Sequence, residues 1–512
     1  MEDYVLKMNL AIPSALLILC AVIRVVYIIW WRPKSLEKEL RQQGIRGTSY
    51  KLLHGDMKEM KKSTIEALSK PMTTLNHKIA PRVLPFFHEV FQKYGKVSLG
   101  WMETRPRLVI ADPELIRLIL TDKNGDFVSP PLNPLVNILQ QGVSTLEGEH
   151  WAKRRRLITP AFHLEKLKRM VPAFSTSCSG LIDRWKKTIG PVGSSEIEVA
   201  SEFQNLAGDV IARTAFGSSY EEGKMIFELQ KEQGALVLEA YTNIYIPGFR
   251  FLPTKKNKRR YSIDNEIKSI LRNMIGTKEQ AMRNGEFGDN DLLGLLLQCK
   301  EQSDSGMTMD DVIEECKLFY FAGQETTASL LTWTMIVLSM HPDWQQKARD
   351  EVLHISAKRP LDFEAINQLK IVSMILYEVL RLYPPLTCLY RHTRRRTNVG
   401  GLSIPTGVDL ALPILFLHDD PDYWGEDVET FNPERFSEGV RKALKDQNAF
   451  YPFGWGPRIC LGQTFTMIEA KMALAMILRD FSFQLSPSYT HAPRTLISVQ
   501  PQYGAPIMVH RI

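Results

Sequence analysis

The sequence predicts a mainly α-helical domain with small β-sheets, an α+β class, preceded by one transmembrane helix. Three observations support this prediction. The 512 residues are 44% hydrophobic and 24% charged, without a long low-complexity tract, so the chain has enough apolar residues for a large core. The chain beyond residue 49 reads as mainly helical, and its strand signals are short and local. One apolar run, residues 10–31, lies near the N-terminus.

The apolar run carries a single charge, Arg24, and exceeds the roughly 20 helical residues that span a bilayer. A cleaved signal peptide is the alternative, but such peptides have a basic start, whereas Glu2 and Asp3 open this chain. Four basic residues follow the run: Arg32, Lys34, Lys38 and Arg41. By the positive-inside rule, we expect the N-terminus in the lumen and the rest of the chain in the cytosol.

Three helical segments follow within the domain. Residues 309–340 contain few helix breakers and a polar interruption in the middle. Residues 363–383 should end before Pro384 and Pro385, because proline cannot continue a helix. A third helix follows Cys460 and has apolar residues on several faces, which is typical of a buried helix.

Strand signals are short. Residues 97–100 and 107–110 read as strands, and residues 399–412 read as a hairpin around the Pro-Thr-Gly at 405–407. No domain boundary is visible beyond residue 49. We therefore expect three parts: residues 1–31 as luminal tip and transmembrane anchor, 32–49 as linker, and 50–512 as one catalytic domain.

Charge and cysteine content narrow the function classes. A net charge of +7 is compatible with an acidic partner or membrane lipid and gives no indication of nucleic acid. The six cysteines contain no C-x-x-C pair, which argues against zinc and against a disulfide framework. They are Cys20, Cys178, Cys299, Cys316, Cys388 and Cys460. A reducing compartment fits this usage.

One segment, FGWGPRICLG, delivers Cys460 to the first turn of the third helix. A sulfur there receives backbone N–H groups and the positive end of the helix dipole, which stabilise a thiolate. Gly456 and Gly462 lack a Cβ, so the backbone can approach a flat ligand. Phe453 can shield the sulfur, and Arg458 can neutralise a carboxylate. Haem combines these requirements, whereas a buried thiol on a glycine turn would leave the other residues unexplained.

From about residue 50 to its end, the chain resembles the cytochrome P450 family on this segment and on four others in the same order. The resemblance implies the cytochrome P450 fold, haem b as cofactor and Cys460 as the iron ligand. In the segment AGQETT, a polar pair lies between apolar flanks, which is costly without a purpose, although helical Thr also bonds back to carbonyls. The resemblance implies that Thr326 holds the oxygen ligand and that Glu325 feeds it protons.

Two pairs of residues are too common to indicate a function by themselves, and the resemblance implies a role for each. Glu378 and Arg381, three residues apart, would contribute little on a helix surface. With Arg435 they resemble the family's Glu–Arg–Arg network, which holds the haem pocket together. Trp151 and Arg155, on a basic stretch that would otherwise read as a solvated face, resemble the residues that meet the haem propionates. Arg391 matches another propionate-binding position.

The implied reaction inserts one atom of O₂ into a C–H bond and releases the other as water. Because no G-x-G-x-x-G follows a strand, the electrons must come from outside. An NADPH–cytochrome P450 reductase is the expected donor, with cytochrome b5 as a second candidate. Lys153 and Arg154 are expected to face the reductase's acidic surface. The basic run at 255–260 is read as a solvated loop, with lipid headgroups as the alternative. The expected location is the endoplasmic reticulum membrane, crossed once.

The residue pattern in the second half of the chain resembles the plant branch of the family that oxidises triterpenoids, gibberellins, brassinosteroids and secoiridoids. A bulky, apolar small-molecule substrate is therefore expected. The resemblance places pocket walls at residues 127–141, 241–246, 318–322 and 386–389. Two alternatives remain: a haem-thiolate isomerase or dehydratase that needs no reductase, and a non-enzymatic haem-binding protein. The chain departs from the family's proline-rich hinge, since residues 44–49 contain no proline.

Overall fold

The computed structural model describes residues 2–139, 141–218, 220–285, 291–301, 306–444 and 448–512. The helices in these ranges are α1 Glu2–Val26, α2 Arg32–Gln42, α3 Met57–Leu68, α4 Ala80–Val83, α5 Pro85–Tyr94, α6 Pro113–Leu120, α7 Pro134–Asn137, α8 Gly148–Ile158, α9 Leu164–Ile189, α10 Val199–Phe216, α11 Tyr220–Tyr241, α12 Lys255–Arg283, α13 Leu292–Glu301, α14 Met309–Met340, α15 Pro342–Ser356, α16 Phe363–Gln368, α17 Lys370–Leu382, α18 Ile414–His418, α19 Pro421–Trp424 and α20 Gln463–Asp480. The predicted mainly helical class is confirmed.

The strands are short. They are β1 Arg46–Gly47, β2 Val97–Met102, β3 Arg105–Ile110, β4 Phe127–Val128, β5 Ser194–Glu198, β6 Leu389–Thr393, β7 Thr397–Val399, β8 Leu402–Ile404, β9 Asp409–Leu412, β10 Phe481–Leu485, β11 Pro493–Thr495, β12 Val499–Pro501 and β13 Pro506–Arg511. One six-stranded sheet has the order β1-β2-β3-β9-β6-β4, with β1–β2 and β3–β9 parallel and the other pairs antiparallel. Smaller antiparallel sheets have the orders β10-β13-β5, β11-β12 and β7-β8.

The apolar core has two parts. The larger surrounds α14, which packs against α10, α17 and α20, and nearly all of the residues in its C-terminal half are buried. The smaller lies on one face of the six-stranded sheet, around Leu99, Trp101 and Leu108. Burial of this extent supplies the main driving force for the fold.

Helix α14 has the bounds that the sequence predicts. Its start is fixed by a capping box, in which the Thr308 hydroxyl accepts the Asp311 N–H at 3.1 Å and the Asp311 carboxylate accepts the Thr308 N–H at 2.8 Å. It ends at Met340, and Pro342 begins the next helix.

The single helix predicted for residues 363–383 is two helices, α16 and α17, separated at Leu369. The reason lies outside the segment: the Glu351 carboxylate, on α15, accepts the first three N–H groups of α17 at 2.7–3.1 Å. A carboxylate at a helix N-terminus satisfies donors that have no partner within the helix. The predicted end before Pro384 is confirmed.

The hairpin predicted for residues 399–412 is also different. The turn lies at Gly400 and Gly401, both with positive φ, between β7 and β8. Strand β9 pairs with β3 and β6 instead of with β8. The Pro-Thr-Gly sequence is therefore a connection between sheets and not the hairpin turn.

Residues 32–49, predicted as a linker, are structured. Leu40 of α2 is fully buried, and the Gln43 side chain exchanges two 2.8 Å hydrogen bonds with the backbone of Ser403. A π-helical turn, Tyr27–Trp31, joins α2 to α1. In the described part of the chain, one helical run, Ile12–Gln42, is apolar and long enough to cross a membrane by composition and length.

Candidate functional site

Cys460 lies just before α20. The sequence had indicated a position in the first turn of that helix, which is wrong. The helix begins at Gln463, with Gly462 as its N-cap. The Cys460 N–H donates to the Phe453 carbonyl at 2.9 Å, so the loop holds the cysteine backbone. Burial raises the pKa of the Cys460 thiol, while the N–H groups of Gly462 and Gln463 oppose that shift. The sulfur therefore receives helix N-terminal donors from outside the helix.

The two glycines of the loop have different roles. Gly456 has φ +71°, and a Cβ there would lie 2.2 Å from the Leu120 carbonyl oxygen. Among protein atoms, its close approach is therefore to the end of α6, and the approach of a flat ligand to Gly456 stays a prediction. A Cβ on Gly462 would meet the Cys460 Sγ at an ordinary 3.8 Å. Phe453 is partly buried and packs against the larger core.

Arg155 on α8 lies beside the cysteine. Its guanidinium donates to the Ile459 carbonyl at 2.6 Å and is close enough to Cys460 for the two groups to influence each other's pKa. Burial lowers the pKa of Arg155, and the neighbouring Arg458 lowers it further.

Arg458 stacks on Trp151, with its guanidinium carbon 4.6 Å from the ring centroid. It also donates to the Leu146 carbonyl at 2.9 Å and pairs with the Glu147 carboxylate. Glu147 lies at the N-cap of α8 and was not among the residues predicted from the sequence. Of the predicted residues, Trp151 and Arg458 are thus in contact.

Arg391 on β6 completes a group of three guanidinium groups. Burial, together with the neighbouring Arg458, lowers the pKa of Arg391 to about 10, although Glu147 opposes the shift. The Arg391 guanidinium donates to the Tyr390 carbonyl at 2.8 Å. In the described part of the chain, neither Arg391 nor Arg155 forms an ion pair with a protein carboxylate.

These residues fit haem. Half-buried guanidinium groups are costly without an anion, and a haem carries two carboxylates. The Cys460 side chain is accessible on a loop whose backbone is fixed, as a metal-ligating thiol requires. A thiol near Arg155, Arg391 and Arg458, of which Arg458 alone pairs with an acid within the described residues, is the donor set that a haem with propionates would complete.

The acid and the alcohol of α14 have different environments. The Thr326 hydroxyl donates to the Ala322 carbonyl at 2.8 Å, the local bond expected of helical threonine. Glu325 instead accepts hydrogen bonds from Ser498 at 2.6 Å, Gln500 at 2.5 Å and Gln204 at 3.3 Å. Ser498 and Gln500 are functional candidates that the sequence did not indicate.

The structure brings Glu378, Arg381 and Arg435 together. Arg381 donates to both carboxylate oxygens of Glu378 at 2.7 and 2.9 Å, and both residues are fully buried. Arg435 approaches the same carboxylate at 3.6 Å and pairs with Asp427 at 2.6 Å.

Of the two predicted surface cations, Arg154 does not face solvent. Arg154 points inward and binds Asp311 at 2.9 Å and the buried Glu315 at 2.8 Å, so it is not available to a reductase. Lys153 is exposed. The basic run at 255–260 is the start of α12 and not a loop, and its Arg260 is buried.

The predicted pocket walls contain accessible apolar groups. Ala322 is exposed although it lies within α14, and Leu386 is 41% exposed. Residues 241–246 follow the end of α11. Of the stretch 127–141, residue 140 lies outside the described residues.

Comparisons with known proteins agree with this geometry. The sequence profile of the cytochrome P450 family matches residues 72–503. The chain is 54% identical to cytochrome P450 CYP72A616 of Paris polyphylla, over 94% of this chain and 95% of the relative. It is 48% identical to secologanin synthase 1 (96% and 95% coverage) and 46% identical to 7-deoxyloganic acid hydroxylase (96% of each), both of Catharanthus roseus.

Proposed function

The chain belongs to the cytochrome P450 family, and on that premise we propose that it hydroxylates bulky, apolar terpenoid-type substrates. The reaction inserts one atom of O₂ into a substrate C–H bond. The second atom leaves as water, with two protons and two electrons supplied from outside. The electrons come from NADPH through a separate reductase.

One observation carries the proposal: the accessible Cys460 thiol lies beside Arg155, and within the described residues neither Arg155 nor Arg391 forms an ion pair with a carboxylate. We propose that Cys460 ligates the haem iron and that Arg155, Arg391 and Arg458 bind the propionates, with Trp151 supporting Arg458. Haem bound there supplies the activation of O₂. Phe453 and the glycine loop hold the sulfur in position.

The remaining residues deliver protons to the pocket or hold its helices in place. We propose that the Thr326 hydroxyl, on the accessible stretch of α14, passes protons into the pocket and that Glu325 supplies them. Glu378, Arg381 and Arg435 keep α17 in place behind the pocket. The domain is held at the endoplasmic reticulum membrane by residues 1–31, with residues 50–512 in the cytosol.

The proposed substrate class is supported by the names of two relatives and by apolar groups in the predicted pocket walls. Two relatives bear the names of a secologanin synthase and a 7-deoxyloganic acid hydroxylase. Exposed Leu386 and Ala322 provide apolar contact, which suits a terpenoid skeleton. Triterpenoids, iridoids and steroids are the compounds to screen.

The first experiment is a ferrous carbon-monoxide difference spectrum of the chain expressed in membranes. The thiolate-type Soret band is expected. Cys460→Ser should abolish it, whereas Cys20→Ser, at an exposed position in the N-terminal helix, should not. A thiolate-type band in the Cys460→Ser variant would refute the ligand assignment.

The second experiment separates a monooxygenase from a haem-thiolate isomerase or dehydratase. With a reductase and a converted substrate, the monooxygenase consumes NADPH and O₂, and Thr326→Ala should release more peroxide for each NADPH consumed. Conversion that proceeds without NADPH would refute the proposal. Unchanged coupling in Thr326→Ala would refute the role of that hydroxyl.

A further inference from the structure

The C-terminal hairpin of β11 and β12 packs against α14 beside the Glu325 side chain. The Val499 carbonyl accepts hydrogen bonds from Ser329 at 2.7 Å and from the Trp333 indole at 2.9 Å. The Val499 N–H donates to the Pro385 carbonyl at 3.0 Å. The hairpin is therefore fixed to α14 one and two turns beyond the acid.

The turn of the hairpin and its strand β12 each deliver one donor to the same oxygen of Glu325. The Ser498 hydroxyl lies 2.6 Å and the Gln500 amide nitrogen 2.5 Å from Oε1. Gln204 of α10 lies 3.3 Å from Oε2. Ser498 is fully buried, so its hydroxyl has little access to water. We call Ser498, Gln500 and Gln204 the Glu325 clamp.

All three donors of the Glu325 clamp are neutral. In the described part of the chain, Glu325 forms no ion pair with a lysine, arginine or histidine. Such bonds orient a carboxylate, but they do not add the Coulomb attraction that a cationic partner would provide. A carboxylate held in this way keeps its orientation yet can leave it at a lower free-energy cost than one held in an ion pair.

The Glu325 clamp is linked to α11 by side-chain packing. A Cβ on Gly234 of α11 would lie 3.3 Å from the Ile497 Cδ1, so Ile497 packs closely against that helix. Ile497 immediately precedes Ser498. Residues 241–246, a predicted wall of the substrate pocket, follow the end of α11. A displacement of α11 would therefore move Ile497 and, through it, the adjacent Ser498 hydroxyl of the Glu325 clamp.

We propose that Ser498 and Gln500 are positioning residues for proton delivery: they hold the Glu325 carboxylate in the orientation from which it supplies protons to Thr326. Through Ile497, the position of α11 sets the strength of this hold. This inference rests on the proposed monooxygenase function. Loss of the clamp lets the carboxylate turn away, so electrons are lost to peroxide instead of product.

The test uses Ser498→Ala and Gln500→Leu in the full-length holoenzyme. We expect each to lower the product formed per NADPH several-fold and to raise peroxide, while substrate binding and the carbon-monoxide spectrum are retained. Thr495→Val is the matched control, because the buried Thr495 hydroxyl of the same hairpin makes no hydrogen bond within the described structure. Its coupling should equal that of the parent enzyme.

A double-mutant cycle with Glu325→Gln separates positioning from simple loss of structure. If Ser498 acts through the carboxylate, Ser498→Ala should change coupling much less in the Glu325→Gln background. An equal several-fold loss in both backgrounds would overturn the proposal, as would parental coupling in both single variants.

Hydrogen–deuterium exchange provides a readout that does not depend on turnover. Glu325→Ala removes the acceptor, so amides of residues 496–500 should exchange faster than in the parent, whereas those of the β10–β13 pair should not. Unchanged exchange would overturn the clamp. If neither the parent enzyme nor any variant binds haem through a thiolate, the proposed function itself is refuted, and that result is distinct from a failure of the Glu325 clamp.

Discussion

Replacing Arg381 with Met should be among the most destabilising single changes in this chain. The fully buried guanidinium donates twice to the Glu378 carboxylate and once each to the carbonyls of His418, Val428 and Thr430, at 2.7–3.1 Å. It therefore joins α17 to the segment that follows α18. Methionine is similar in length but provides none of these donors.

The magnitude follows from what remains behind. Removing one partner of a buried pair costs roughly 3–5 kcal/mol, and each of the three carbonyls loses a bond worth about 1 kcal/mol. Arg435, 3.6 Å from Glu378, compensates in part. We expect a loss of about 5 kcal/mol, a large fraction of the roughly 5–15 kcal/mol that stabilises a typical protein.

The assay is urea unfolding followed by tryptophan fluorescence, because the Trp424 ring lies 5.2 Å from the Arg381 guanidinium carbon. Arg184→Met is the control: Arg184 forms an ion pair with Glu202 on the surface, and its loss should cost less than about 1 kcal/mol. If Arg381→Met does not accumulate, Glu378→Leu in combination should restore part of the stability. A loss no larger than that of the control would refute the reasoning.

Three further predictions use the same unfolding measurement or haem content. Burial raises the pKa of Glu469 well above its usual range, and neither carboxyl oxygen has a partner in the described structure. Glu469→Gln should therefore shift the unfolding free energy by less than about 1 kcal/mol, and a loss of several kcal/mol would show that the carboxyl is charged. Burial raises the pKa of Glu315 to about 6 from 4.5, so its contribution to stability is complete below pH 4.5 and is lost as the pH rises through 6. Glu315→Gln should remove this loss of about 2 kcal/mol between about pH 3.5 and about pH 7.5, and an unchanged slope would contradict the assignment. Gly456→Ala should lower the haem bound per protein more than Gly439→Ala does, because both glycines have positive φ but only the Gly456 Cβ would meet a neighbour within 4 Å. Equal haem content in the two variants would show that the contact with Leu120 is unimportant.

The sequence predicted local structure well and contacts between distant segments poorly. The bounds of α14 follow from a cap and a proline that lie within a few residues of its ends. The break at Leu369 depends on Glu351, which reaches the start of α17 from another helix. No local pattern reports such a contact.

The candidate site shows the same division. Motif spacing and the family resemblance predicted that Cys460, Arg155 and Arg458 share one site, and the structure places Arg155 near both of the others. Motif spacing gave no sign of Glu147, since a single acidic residue at a helix start has an ordinary capping role. It also misplaced Arg154, because a basic run does not reveal which of its members turns inward.

The helical segment between the apolar run and the domain has a consequence for how the enzyme sits on a bilayer. Because α2 is packed through Leu40 and Gln43, and the Tyr50 hydroxyl donates to the Ile29 carbonyl at 2.6 Å, packed contacts and not a flexible tether join the apolar run to the body. With that run across a bilayer, as we propose, its tilt would set which face of the body meets the lipid. Changing the length of α2 by one residue would rotate the body by about 100° around the helix axis, a reorientation that a flexible tether would absorb.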